Sequence, residues 1–156
     1  DTHSSAWMRM GSKNAEWSRN MPLYECVTTA GTLNEDQREQ IADAITQAHC
    51  ELTGAPVELV HVIFSDIPRG SSYSGGKQAT PTVIRGNIRA GRSDEVRHTL
   101  MKRISDAYID ATGVDPKTML VAVADFPPSW AMEGGLIMPD VTPESEEAWL
   151  NEFRSL

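Results

Sequence analysis

A proline nitrogen is inert inside a chain and reactive at its start, so the run Met21-Pro22-Leu23-Tyr24-Glu25-Cys26-Val27 is the first to weigh for chemistry. At a free N-terminus Pro22 carries a secondary amine that can hold or release a proton. Within a peptide the same nitrogen is an amide with no proton and no basicity. A methionine directly before the proline is also what a gene shows when the mature protein begins at proline. The bland alternative is a proline at the first position of a strand, where it merely lacks a ladder donor.

The elements that would position Pro22 come in duplicate. Sliding the sequence against itself by 59 positions lays Pro22 on Pro81, Arg38 on Arg97, Ile45 on Ile104, Thr53-Gly54 on Thr112-Gly113 and Asp66-Ile67-Pro68 on Asp125-Phe126-Pro127. Such an internal match marks a repeated supersecondary unit. Residues 22–68 and 81–127 therefore read as two copies, and only Pro22 can offer an amine, because Pro81 is internal. In the first copy Leu23 to Thr29 is rich in β-formers, and Thr32-x-x-Glu35 has the form of a capping box. Ile41, Ala44, Ile45, Ala48, His49 and Leu52 recur at helical spacing up to Gly54, and Val57 to Ser65 reads as a buried strand. In the second copy Thr82 to Ala90 is a strand, Ser93 an N-cap, and Val96, Leu100, Ile104, Ala107, Tyr108 and Ala111 a helical stripe. Met119 to Ala124 is the fourth strand.

Two βαβ units with right-handed crossovers predict an α+β fold, a four-stranded sheet with both helices on one face. The other face is then left bare and is expected to be covered by further subunits. Between the copies, residues 69–76 read as a loop or hairpin. The C-terminal tail, residues 128–156, carries a Gly134-Gly135 turn and an acidic helix from Pro143 to Phe153, expected to pack on a neighbouring subunit or the sheet edge.

The 156-residue length suits one domain, and 40% hydrophobic with 6% aromatic residues is ordinary for a soluble globule. A net charge of −8 argues against a phosphate-backbone binder, so no nucleic-acid partner is expected. Cys26 and Cys50 lack metal-ligand spacing and are too few for a disulfide scaffold, which points to reduced thiols in a cytoplasmic protein. No run approaches a membrane span and no secretory signal is evident, so no membrane partner is expected. Residues 1–21, with Trp7 and Trp17, stand outside the repeat as an N-terminal extension or expression remnant.

The Met-Pro start, the tandem βαβ pair, Asp43-Ala44-Ile45-Thr46-Gln47-Ala48-His49 and Ile88-Arg89-Ala90-Gly91-Arg92-Ser93 together resemble the tautomerase superfamily. More narrowly they resemble its cis-3-chloroacrylic acid dehalogenase family, over essentially all of residues 22–156. The resemblance implies a homotrimer with active sites around an amino-terminal proline. It also implies addition of water to a small unsaturated or halogenated carboxylate, without cofactor or metal. Carried over residue by residue, the catalytic set is Pro22, His49, Arg89, Arg92 and Glu133, with Arg89 and Arg92 binding the substrate carboxylate. Paired guanidiniums suit that task through charge-assisted, partly bidentate hydrogen bonds. The implied division of labour is acid from Pro22, base from Glu133, anchor from the arginines, and assistance to water or carboxylate from His49.

Alone, a histidine on an apolar helical stripe reads as a hydrogen-bonded core residue, two arginines before a helix as surface contacts, and a glutamate before Gly-Gly as solvated. The sequence also departs from the dehalogenase pattern: Ala122 stands where an active-site tyrosine is placed, and Gly134, Gly135 and Leu136 follow Glu133 in place of Tyr-Gly-Arg. Tyr73 is a possible accessory hydroxyl from the loop. Two other readings stay open: a keto–enol tautomerase with Pro22 as base, and a catalytically silent trimer whose extension caps Pro22.

Overall fold

The computed structural model describes residues 22–140 and 142–156; the N-terminal extension, residues 1–21, lies outside the described residues. Strand β1 (Leu23–Thr29) is followed by helix α1 (Glu35–Thr53) and strand β2 (His61–Ile67). The pattern then recurs as β5 (Thr82–Arg89), α2 (Asp94–Thr112) and β6 (Met119–Phe126). The sheet order is β2-β1-β5-β6, with β1 parallel to β2, β5 parallel to β6, and β1 antiparallel to β5.

Period-2 alternation decides the two faces of the sheet. Tyr24, Cys26, Ile84 and Ile88 point to the helices and are buried against Ile41, Ile45 and Ala48 of α1 and Leu100, Ile104 and Tyr108 of α2. The opposite face carries Leu23, Ile63 and Leu120, all exposed, beside an Arg85–Glu25 ion pair. Both helices thus cover one face, and a row of large apolar side chains is left open on the other.

The duplication is visible in the bonding. Arg38 of α1 pairs with Asp66 at the end of β2, and Arg97 of α2 pairs with Asp125 at the end of β6. Ala30 N–H donates to Ile67 O as Ala90 N–H donates to Phe126 O. The second pair shows that the first strands are offset by 60, not 59, because β1 reaches its helix through five residues and β5 through four. Pro22 therefore corresponds to Thr82 in the fold, and the match with Pro81 is one residue out of step. The copies also extend further than the sequence suggests. Hairpin β3 (Tyr73–Ser74) and β4 (Lys77–Gln78) is matched by β7 (Met132–Glu133) and β8 (Leu136–Ile137). Each turns on a Gly-Gly pair with positive φ at both residues, the conformation of a two-residue primed turn.

Two local expectations are corrected, and the tail helix is placed. The cap of α1 is Asn34, whose side chain accepts from Gln37 N while Gln37 Oε1 accepts from Asn34 N; Thr32 instead donates to Thr29 O. The strand expected from Val57 starts only at His61, because residues 57–59 form a 3₁₀ turn that buries Leu59 completely. The acidic tail helix, α3 (Pro143–Arg154), packs on its own chain: Trp149 and Met138 enclose Leu59, with Leu136, Leu150 and Phe153 around them, and Arg154 pairs with Glu58. None of the described helices is long and apolar enough to cross a membrane. Cys26 and Cys50 are free, and burial pushes the Cys26 thiol up to about 12, so it is an inert core group.

Gly86 is required by close packing: a Cβ there would lie 2.5 Å from the Tyr24 ring. Gly86→Ala is expected to destabilise the protein by about 1–3 kcal/mol, the usual cost of overpacking, measured by urea unfolding. An unchanged midpoint would show that the Tyr24 ring can move freely.

Candidate active site

The register of β1 decides what can gather around Pro22. Leu23 lies opposite His61 on one side and Asn87 on the other, and His61 N–H donates to Pro22 O at 3.1 Å. Because β5 runs antiparallel, its C-terminal end, Ile88-Arg89, arrives at the end of the sheet where β1 begins. Pro22 itself is buried. So the N-termini of β1 and β2 and the C-terminus of β5 converge on one site.

His49, in the last turns of α1, faces this end of the sheet. It is 2% exposed, and its Nδ1 lies 2.8 Å from the Tyr24 hydroxyl. Desolvation first, then the Arg92 and Arg89 guanidiniums, lowers its pKa to about 3, so the ring is neutral at physiological pH. Burial likewise pushes the Tyr24 phenol well above its ordinary range. His49 is therefore a neutral hydrogen-bonding group in a positive field.

The arginines differ sharply in environment. The Arg89 side chain has no exposure; its Nη1 donates to Pro139 O at 2.9 Å and its Nη2 to Glu146 Oε1 at 3.0 Å. Burial pulls its pKa down to about 10 while Glu146 supports the charge, so it remains a cation. Arg92, in the loop before α2, is half-buried, and its Nη2 donates to Thr53 O at 3.3 Å. Both act on His49, which fixes them at one end of the domain.

Glu133, on β7, pairs with His61 Nε2 through a short contact. Its side chain is 17% exposed, and its Oε2 is buried with no hydrogen-bond partner among the described residues. The Gly134 beside it is wedged against Phe153 and Leu156, at 3.0 and 2.9 Å from its would-be Cβ. The end of α3 thus sets where Glu133 sits. Tyr73 lies apart: it is exposed on β3 and lines a cavity of about 510 Å³ with Pro81, Val83, Lys117 and Leu120, at the opposite end of β5 from Arg89. At about 3.4 Å per residue, eight residues of strand separate it from the rest. Ala122 lies on the open face, in the row of Arg85, Glu25 and Ile63.

The sequence reading missed Tyr24, His61 and Glu146. Tyr24 reads as one more strand aromatic, and His61 lay within a run taken as wholly buried. Glu146 is one of several acids on a surface helix, and only the arrival of α3 at β5 distinguishes it. Among the described residues no group of His, Cys, Asp and Glu is arranged to hold a metal ion.

A duplicated βαβ sheet in the order β2-β1-β5-β6, its first strand preceded by a proline, has the architecture of the tautomerase superfamily. The chain belongs to that superfamily, in the family described as "Putative oxalocrotonate tautomerase enzyme", whose model matches residues 21–154. It is 43% identical over 42 residues, 27% of this chain and 69% of the relative, to "Probable tautomerase LL0574" of Lactococcus lactis subsp. lactis. Native Ps01740 superposes with a TM-score of 0.70 at 50% identity, covering 71% of this chain and 99% of that one. N1, a member of the cis-3-chloroacrylic acid dehalogenase family, gives a TM-score of 0.75 at 27% identity, covering 86% and 99%.

The neutral His49 has a consequence for stability. In the unfolded chain it takes up a proton below about 6.5, whereas in the folded protein it stays neutral until about 3. Its contribution is complete above about 6.5 and is lost as pH falls towards 3. Urea unfolding at pH 7, 5 and 4 should show stability falling by at most about 1.4 kcal/mol per unit from this one proton, and the fall should be shallower in His49→Gln. Equal slopes would mean that His49 is protonated in the fold.

Proposed function

We propose that the protein is a cofactor-independent enzyme that adds water to a small unsaturated or halogenated carboxylate, with Pro22 as the first residue of the mature chain. The observation that carries this reading is the placement of Glu133. One carboxylate oxygen, Oε1, is held against His61, the residue whose backbone bonds Pro22, while the other, Oε2, is buried with no partner among the described residues. Water addition needs a base facing the proline, and a tautomerase does not. In support of the processed start, the family match begins at Met21 and leaves residues 1–20 outside.

In this mechanism Arg92, the less buried of the two guanidiniums, grips the substrate carboxylate, and Arg89 lends its charge from beneath. Their pull draws electrons from the β-carbon. Glu133 takes a proton from water as the oxygen bonds to that carbon, and the displaced electron pair collects a proton from the Pro22 ammonium at the α-carbon. His49, neutral and fixed by Tyr24, orients the water or the carboxylate. With a halogen on the β-carbon, the adduct then expels halide. The working unit is a homotrimer in which the open sheet faces, with Leu23, Ile63 and Leu120, pack together. Tyr73 could join a site only from a neighbouring copy.

A second reading is favoured by the printed name of the Lactococcus relative, a tautomerase. Here Pro22 is neutral and shuttles a proton between the enol and keto forms of an acid, and Glu133 is a spectator.

The test uses protein beginning at Pro22, confirmed by mass spectrometry and shown by sedimentation to be trimeric, with cis- and trans-3-haloacrylates, propiolate and enol-keto acids as substrates. Water addition predicts that Pro22→Ala and Glu133→Gln each lower kcat by about 10²–10⁴-fold, the usual worth of a general acid or base. Arg92→Ala should chiefly raise KM. Full activity in Glu133→Gln, with a rate that falls as Pro22 is protonated, would establish the tautomerase reading instead. Full activity in Pro22→Ala, or a natural chain that retains residue 21, would exclude both.

A further inference from the structure

His61 has no role in the chemistry so far, yet it is the residue that physically joins the proline end of the sheet to the hairpin that bears Glu133. Its backbone N–H donates to Pro22 O at 3.1 Å, and its imidazole Nε2 meets Glu133 Oε1. An ionised carboxylate can only accept hydrogen bonds, so Nε2 carries the proton and donates it. The two Glu133 oxygens are thereby made unequal. Oε1 is occupied by His61, while Oε2 is buried and has no partner among the described residues.

A buried carboxylate oxygen with an unused lone pair carries a desolvation cost, unless something else occupies it when the protein works. Glu133 stands on a two-residue strand next to a Gly-Gly turn, and such an element has little to fix a side-chain rotamer. His61, by contrast, stands on a seven-residue strand bonded along its length to β1. It lies beside Leu23 on the open face, which sets its imidazole at a constant offset from Pro22. The residue on the long strand therefore orients the side chain carried by the short hairpin.

We propose that His61 is a positioning residue for water addition: by donating from Nε2 to Glu133 Oε1, it turns Glu133 Oε2 towards the reacting water beside Pro22. This rests on the reading of Glu133 as the base. The proton from water goes to Oε2 and the water oxygen bonds to the substrate β-carbon. The His61 Nε2–H bond is not broken, so His61 shapes the transition state without exchanging protons in it. A polar side chain with a donor at the Nε2 position is then required at residue 61, and a charge is not.

The proposal separates from a merely structural role through a conservative rescue. Glutamine places an amide N–H close to where imidazole Nε2 lies; leucine keeps the bulk and removes the donor. On trimeric protein beginning at Pro22, with propiolate and 3-haloacrylates as substrates, His61→Leu should lower kcat about 10–100-fold with KM within about twofold, since only transition-state geometry is lost. His61→Gln should recover to within about threefold of the native rate. The double variant His61→Leu/Glu133→Leu should be no slower than Glu133→Leu alone, because the two residues act as one unit. A second readout is independent of turnover: the His61 Nε2 proton should be visible by ¹⁵N-edited NMR in the native protein and lost in Glu133→Leu.

If Glu133→Leu is inactive but His61→Leu keeps its full kcat, or leucine and glutamine at 61 fall alike, the positioning role is overturned and the base assignment stands. If Glu133→Leu keeps full activity, or native protein hydrates none of these acids, the base assignment fails and this inference fails with it. An Nε2 proton indifferent to Glu133→Leu would overturn the hydrogen bond itself.

Discussion

The arrangement at the end of the sheet depends on one guanidinium removed from water. Arg89 is fully enclosed, and an uncompensated charge there would be prohibitive. It is tolerable because Glu146 supplies the counter-charge and Pro139 a carbonyl. Both partners come from beyond the second repeat, so this pair binds the tail to the end of β5. Such pairs add little net stability, but breaking one strands a buried ion. Once α3 is held there, Trp149 closes over Leu59 and the helix end wedges Gly134, and Glu133 follows. A single electrostatic requirement thus links the tail, the hairpin and the site.

The duplication has been used asymmetrically. Both copies keep the Arg–Asp pair between helix and strand and the Gly-Gly hairpin after it. The groups with chemical potential are divided: Pro22, His49 and His61 come from the first copy, Arg89, Arg92 and Glu133 from the second. Where the first copy has His49 bonded to Tyr24, the second has Tyr108 with its hydroxyl 3.3 Å from Thr82, a neutral and chemically quiet pair. The antiparallel junction of β1 with β5 brings Pro22 and His49 of one copy to the same end of the sheet as Arg89 and Arg92 of the other. It also places the corresponding end of the second copy, with Tyr73 and Lys117, at the far side of the sheet.

Much of this was legible in the sequence, for identifiable reasons. The strands and helices follow from β-former runs and from apolar residues at helical spacing, and Gly54, Gly113 and Ser93 mark helix ends as local chemistry dictates. The α1 cap was misplaced by two residues because Thr32 and Asn34 both suit the role, and Gln37 decides between them. The one-residue slip between Pro22 and Thr82 is hidden in an ungapped comparison because the loops differ by a single residue. Pro22, His49, Arg89 and Arg92 stand out as candidates in the sequence because residue type and family spacing coincide there. Tyr24, His61 and Glu146 do not, since each matters only through a partner 25, 72 or 57 residues away.

The proposed chemistry depends on the nitrogen of Pro22, and the most direct measurement is a ¹⁵N NMR titration of protein beginning at ¹⁵N-labelled Pro22, with and without propiolate. The expected result is an amine that titrates, within the range open to α-amino groups, and a ¹⁵N shift on adding the acid that is lost in Arg92→Ala. A nitrogen that does not titrate, or one indifferent to a carboxylate that binds elsewhere, would contradict it.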